Sequence, residues 1–379
     1  MTQDENEIDL GTEDDSEHVS LEEKYAEQMR QIFPQKIELP VSTLVNMVET
    51  QINLSPDFQR RDVWGQPKQA KFIESLIMNV PIPPVFMGED KYSKYQVLDG
   101  RQRLTAIVRY MQNEYELVKL EIWSELNGKR FSDLQEMELD VTITRRFLPA
   151  VVLLKESSPE VKYDVFERLN TGGLNLKPME IRNAVYRGPF TELLHRCADH
   201  KDFRILWGIP ESDRERKENR TYTRMTDLEL VLRFFALGAA QQQPKKQRPA
   251  LKTYLGLFMQ QKNTLLERDP SLVEKEFARF ERAITNCLVL LGENAFRRDG
   301  KKDRSAPFAD ALMYGLAEVD LKGKDVAKMK SVVQRAVAAL QADEAFQDAM
   351  ATGTNGKAKI EIRLRAARSA IDKAIEDED

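Results

Sequence analysis

The sequence predicts an α+β N-terminal domain followed by a mainly α-helical C-terminal domain, and three observations carry that prediction. Up to about residue 190, short apolar runs rich in Val, Ile and Leu alternate with amphipathic helical patterns. Beyond it strand patterns nearly vanish, and helical patterns recur around 223–240, 250–266, 271–292, 306–318, 324–341 and 357–375. A chain of 379 residues also exceeds the usual size of one hydrophobic core. The expected organisation is an acidic disordered tail over 1–19, an α+β domain over 20–195 and a helical domain over 196–379.

Taken in order, "SLEEKYAEQMRQIF" opens with Ser20 and Glu23 in capping-box spacing, so ordered structure is expected to begin there. "KIELP" reads as a short strand and "VSTLVNMVET" as a helix capped by Ser42. A loop, "LSPDFQRRDVWGQP", leads into the helix "KQAKFIESLIMN", with Phe72, Leu76, Ile73 and Ile77 as its inward candidates. Pro81, Pro83 and Pro84 lack backbone donors, so "VPIPPVFMG" is a rigid lead into the strand "VFMG" rather than a strand throughout. "KYQVLDG" is a strand, "RQRLTAIVRYMQ" a helix, "YELVKL" and "GKRF" short pieces, and "LPAVVLL" a buried strand. Helical patterns at 159–169 and from Pro178 flank Thr171-Gly172-Gly173. In the second half, residues 211–224 and "QQQPKKQRP" read as loops.

Charge is unevenly spread. Residues 1–27 hold eleven acids against one lysine and the chain closes on four acids, so residues 28–375 carry +9 although the whole chain is at −5. That modest basicity fits an anionic ligand, and equally two solubilising tails on an ordinary surface. No apolar run approaches the length of about 20 residues that spans a bilayer, and the acidic N-terminus has no signal-peptide character, so a soluble cytoplasmic protein without membrane contact is expected. Cys197 and Cys287 lie far apart, outside metal-site or disulfide spacing, and are expected as buried fillers. The histidines are His18, His195 and His200, so residues 201–379 contain none. A nuclease that needs an imidazole there is excluded on chemical grounds.

Three segments could carry chemistry. In "VLDGRQRLTAI", Asp99 is placed as an N-cap with Gln102 reaching back to it, and Gly100 fits a tight turn. Arg101 and Arg103 add positive charge where a helix start already carries its own, which a bound phosphate would resolve. Surface arginines on an exposed helix start are the alternative. In "DFQRRDVW", Arg60 and Arg61 stand between acids and beside Phe58 and Trp64, which suits phosphate contact with base stacking or, alternatively, surface ion pairs over packed aromatics. In "FERLNTGGLNLKPMEIRNA", Asn170, Gly172 and Gly173 would either let a backbone approach a ligand or end a helix. No GxxxxGK[ST] and no GxGxxG occurs.

Together, "FQRRDVW", "FIESLIMNVPIPPVFM", "YQVLDGRQRLTAI" and "VFERLNTGGLNLKPMEIRNAVY" resemble, in order and spacing over about residues 35–190, the N-terminal domain of GmrSD-type modification-dependent restriction endonucleases. The resemblance implies a ParB/sulfiredoxin-like fold and a DGQQR motif tied to binding and hydrolysis of a nucleoside triphosphate, GTP or ATP with Mg²⁺, in anti-phage defence. By position, Asp99 and Gln102 would serve catalysis, and Gly100, Arg101 and Arg103 would bind the nucleotide. Gln59, Arg60 and Arg61 match a second family segment, and Asn170, Gly172 and Gly173 a third. Arg101 stands where the family pattern has Gln, a departure that bears on hydrolysis more than on phosphate contact. In the full enzymes an HNH nuclease is fused or supplied as a partner. The lack of histidine after residue 200 implies that this chain is not itself that nuclease, and that a separately encoded nuclease or toxin effector accompanies it. A ParB-like DNA-binding or adaptor protein that never cleaves its nucleotide stays open, as does a homo-oligomer built through the helical half.

Overall fold

The computed structural model describes residues 33–54, 64–89, 94–157, 159–170, 177–242 and 249–377. These fall into two compact units, divided between Val185 and Tyr186. The first is mixed α and β and the second is helical, the architecture expected from the sequence.

The first unit is built on a five-stranded sheet in the order β1-β5-β3-β4-β2. Its strands are β1 (Pro34–Pro40), β2 (Ile52–Asn53), β3 (Val85–Glu89), β4 (Tyr95–Asp99) and β5 (Phe147–Leu153). β1 runs antiparallel to β5 with Pro34 opposite Leu153, β5 parallel to β3 with Ala150 opposite Val85, and β3 antiparallel to β4 with a bulge between Phe86 and Met87. The edge strand β1 exposes Lys36 and Glu38 and has proline at both ends, which discourages pairing with another chain. Helices α1 (Val41–Thr50), α2 (Gln66–Ile77) and α3 (Arg101–Met111) pack with the sheet around Leu44, Ile73, Leu76, Val85, Val97, Leu104 and Ile107, all buried.

Phe72, expected inward, is only half-buried, and Ile73 and Ile77 take the core positions. α1 begins at Val41 with Pro40 as its cap, not at the expected Ser42. "YELVKL" and "GKRF" meet through Leu117 N–H to the Lys129 carbonyl at 3.0 Å and Gly128 N–H to the Leu117 carbonyl at 2.7 Å, without forming a strand. Short helices α4 (Phe131–Glu136) and α5 (Val141–Thr144) precede β5. Arg146, between α5 and β5, donates to the Leu76, Ile77 and Thr142 carbonyls, so one guanidinium satisfies the open end of α2. Helices α6 (Pro159–Asn170) and α7 (Pro178–Val185) complete the unit.

The second unit begins with α8 (Pro189–Ala198) and α9 (Lys201–Trp207), and the charged stretch expected as a loop forms two single-turn helices, α10 (Asp213–Arg216) and α11 (Arg220–Thr223). The long helices follow: α12 (Thr226–Ala240), α13 (Leu251–Arg268), α14 (Leu272–Leu291), α15 (Ala306–Leu316), α16 (Val326–Ala342), then short α17 (Glu344–Ala349) and α18 (Lys357–Glu376). Its core is aromatic: Phe190 meets Phe235 and Phe258 edge-on, and Phe280 contacts Phe203, Phe234 and Phe235 with centroids 5.5–6.0 Å apart. Cys197 and Cys287 are fully buried and free, as expected of fillers, and burial pushes both thiols well above the usual range.

Inside this core lies a charged cluster. Arg233 reaches Asp310 with Nε at 3.2 Å and Nη2 at 2.6 Å, and Arg363 Nη2 meets the same carboxylate at 3.2 Å. Asn355 and the Thr354 carbonyl accept further guanidinium protons. His200 caps α9: its Nδ1 accepts the Asp202 N–H at 3.2 Å, so Nε2 carries the proton and points at Glu281 Oε1, 3.3 Å away.

Candidate functional site

Gly100 ends β4 and starts α3 with φ +91°, a left-handed conformation that L side chains rarely adopt. A Cβ added here would meet Val85 Cγ2 at 3.0 Å and the Arg103 guanidinium at 3.1 Å, so the position is also short of space. Gly100 is itself the N-cap, and no side chain caps the helix. The expected capping box from Asp99 to Gln102 therefore does not form, for a physical reason visible at both ends. The Asp99 carboxylate accepts from Arg103 Nη2 at 2.9 Å, one helical turn on, and Gln102 Oε1 accepts the Trp64 N–H at 3.1 Å.

Arg103 is the anchor of this corner. Besides Asp99 it donates through Nη1 to the Pro83 carbonyl, and to that of Pro84 at 3.2 Å. The proline-rich lead into β3 has no ladder of its own, and this guanidinium ties it to the helix start. Its side chain is 12% exposed against 30% for Asp99. Burial lowers the Arg103 pKa, and the charge and hydrogen bond of Asp99 act the other way. Arg101, the other arginine of the motif, is half-buried on the first turn of α3, a turn that contains no acid.

One residue from each of the other two segments, Trp64 and Ala184, meets the same strand or helix. Trp64 closes the "FQRRDVW" stretch, and its bond to Gln102 sets the end of that stretch against the start of α3. The Trp64 ring is held edge-on to Phe72, with centroids 5.7 Å apart, and has Lys68 Nζ 4.7 Å from its centroid. Gln96 of β4 donates through Nε2 to the Ala184 carbonyl of α7, which fastens the third segment's helix to the strand that leads into Gly100. Gln59, Arg60, Arg61, Gly172 and Gly173 lie outside the described residues, as does the side chain of Asn170.

Three polar side chains of α7 were not singled out from the sequence: Glu180, Arg182 and Asn183, all buried. Glu180 Oε2 accepts the Lys177 N–H at 2.6 Å, the reciprocal half of a capping box, and Arg182 lies 5.6 Å from the Tyr163 ring centroid. The Lys-Pro-x-Glu spacing, with proline at the first helical position, is the signal that could have found the first of them.

Among the described residues no helix is long and apolar enough to cross a membrane. No group of three or more His, Cys, Asp or Glu among them is arranged to hold a metal ion. Compared with known proteins, residues 41–187 match the family model described as GmrSD restriction endonuclease, N-terminal domain. No curated protein and no solved structure matches the chain. The matched span contains β4, Gly100, the whole of α3 and the Trp64 and α7 segments tied to them. Residues 41–187 thus carry the likeness to the GmrSD N-terminal domain family, which points to a restriction-type defence system.

Proposed function

We propose that the first unit binds a nucleoside triphosphate at the start of α3 and that hydrolysis of the nucleotide switches the system's action on DNA or on a separately encoded nuclease. The observation that carries this reading is a helix start with no side-chain cap, no acid in its first turn and Arg101 on it, with Trp64 held against it by the bond to Gln102. Helix N–H groups and a guanidinium fork are the donors a phosphate takes.

The division of labour follows from the contacts. Arg101 and the helix start would hold phosphate oxygens, with Arg60 or Arg61 as a second clamp. Arg103 is a positioning residue, because both of its terminal nitrogens already hold Asp99 and the proline carbonyls. Asp99, fixed by Arg103, and Gln102, fixed by Trp64, are then available to orient water at a set distance from the phosphates. Mg²⁺ would arrive on the nucleotide, as it does where one or two protein oxygens and the phosphates share it. The bound triphosphate supplies the cleavable phosphoanhydride, and GTP or ATP is the expected form.

The test is calorimetric titration of the full chain with ATP, GTP, CTP and UTP plus Mg²⁺, followed by phosphate release, in wild type, Arg101→Ala and Arg103→Lys. Arg101→Ala should weaken binding about 10-fold or more, the loss expected for one charge-assisted hydrogen-bonding group, with thermal stability retained. Arg103→Lys should instead lower the unfolding temperature, since an ammonium cannot bridge three acceptors in a plane. Binding no tighter than about 1 mM for all four nucleotides sinks the reading. Tight binding without phosphate release would favour the non-hydrolysing, ParB-like adaptor.

A further inference from the structure

The stretch "RRDGKKDR", residues 297–304, carries five cations against two acids and no apolar side chain. It forms a small hairpin between α14 and α15. Arg297 pairs with Arg304 in an antiparallel bridge, Ser305 N–H donates to the Phe296 carbonyl at 2.8 Å, and Lys301 N–H closes the turn on the Arg298 carbonyl at 3.0 Å. Gly300, at φ +73°, allows the turn.

Two like charges directly opposite each other destabilise a strand pair, and here nothing offsets them. Among the described residues none of Arg297, Arg298, Lys301, Lys302 and Arg304 makes an ion pair, and Arg297 Nε is shielded from water with no acceptor. The stem is held regardless. Arg304 Nε donates to the Leu206 carbonyl at 2.6 Å and its guanidinium lies against Gly208, where an added Cβ would come within 2.6 Å of it. Asp299 N–H donates to Gln341 Oε1 at 2.9 Å, and Arg298 Nη1 to the Met350 carbonyl at 3.3 Å. Burial, and secondarily the charge of Arg297, lowers the Arg304 pKa. The hairpin is thus a rigid mount that concentrates positive charge and leaves Lys301 and Lys302 exposed at its tip.

From this geometry we infer that the 297–304 hairpin is a docking element for the phosphodiester backbone of duplex DNA. A protein partner fits poorly, because protein interfaces are built on apolar centres and are depleted in lysine, and this ribbon offers no apolar side chain. A row of phosphates fits well, since lysines and arginines on a fixed ribbon give sequence-independent contacts. The site is separate from the nucleotide reading and does not depend on it.

The experiment compares full-length wild type, Lys301→Glu/Lys302→Glu and the equal-charge control Lys330→Glu/Lys373→Glu, whose lysines are also exposed. Fluorescence anisotropy with a labelled duplex is read across a salt series, and the same proteins are titrated with labelled polyglutamate and assayed for nucleotide binding. The hairpin variant should bind duplex about 10-fold or more weakly at low salt, with its log–log salt slope reduced by about 2, one phosphate contact per lysine. The control should shift affinity much less, and nucleotide binding should be the same in all three. The inference is overturned if wild type binds no duplex, if the control loses as much as the hairpin variant, or if the hairpin variant loses polyglutamate binding while keeping DNA. None of these outcomes touches the nucleotide reading, which stands or falls on Arg101→Ala.

Discussion

Two aspartate–arginine clusters serve opposite ends in this molecule. At the start of α3, Asp99 and Arg103 are 30% and 12% exposed, and their pairing holds a turn and a proline-rich strand lead in place. In the helical unit, Asp310 at 4% exposure stands between Arg233 at 1% and Arg363 at 0%. The first pair keeps water on one side, so breaking it costs little more than the bond itself. The second has no water to fall back on, and one carboxylate meets two buried guanidiniums. The same residue types are therefore adjustable at a candidate site and indispensable in a core.

The same substitution at both places sharpens that contrast. Asp310→Asn leaves two buried cations facing a neutral amide and should cost about 3–5 kcal/mol, read as a lowered urea midpoint of the helical unit. Gly100→Ala comes next, because it combines a left-handed φ with the contact on Val85. About 1–3 kcal/mol of the first unit's stability should be lost, and the same urea titration checks it. Asp99→Asn should cost no more than about 1 kcal/mol. An Asp99 variant as damaging as the Asp310 variant would erase the distinction.

The smallest effect near neutrality is one of pH. Burial raises the Cys197 and Cys287 thiols, so above their ordinary value of about 9 the unfolded chain gives up protons that the folded chain keeps. Stability should then fall as pH rises beyond 9, by about 1.4 kcal/mol per pH unit for each thiol. The difference between wild type and Cys197→Ala/Cys287→Ala in unfolding titrations from pH 8 to 10.5 isolates it, and parallel curves would contradict it.

Local patterns were legible in the sequence and contacts between distant residues were not. β3 begins at Val85, immediately after the prolines, because an absent donor is a property of the residue itself. The β4–turn–α3 corner and the long helices from α12 to α18 were likewise readable, since periodicity and glycine act over a few residues. The capping box at 99–102 was misread because local spacing cannot show that Gln102 is taken by Trp64, 38 residues earlier. Asp99 is taken by Arg103, whose own position depends on Pro83 and Pro84. Ser42 failed as a cap for a similar reason: the turn into α1 is set by β1 and by the Val41 N–H bond to the Arg146 carbonyl at 2.9 Å.

By itself the sequence determined the α+β then helical order, the glycine turn before α3 and the three segments that match a restriction-system domain. Each is written in residue types at short spacing. Only the tertiary structure decided what the arginines do. It set Arg103 to hold a turn, sank Arg233 and Arg363 around Asp310, and faced Arg297 with Arg304 across a hairpin in which neither forms an ion pair among the described residues. A guanidinium is the same chemical group at every position, and the acceptors that reach it, with the water that does or does not, are fixed only when distant parts of the chain meet.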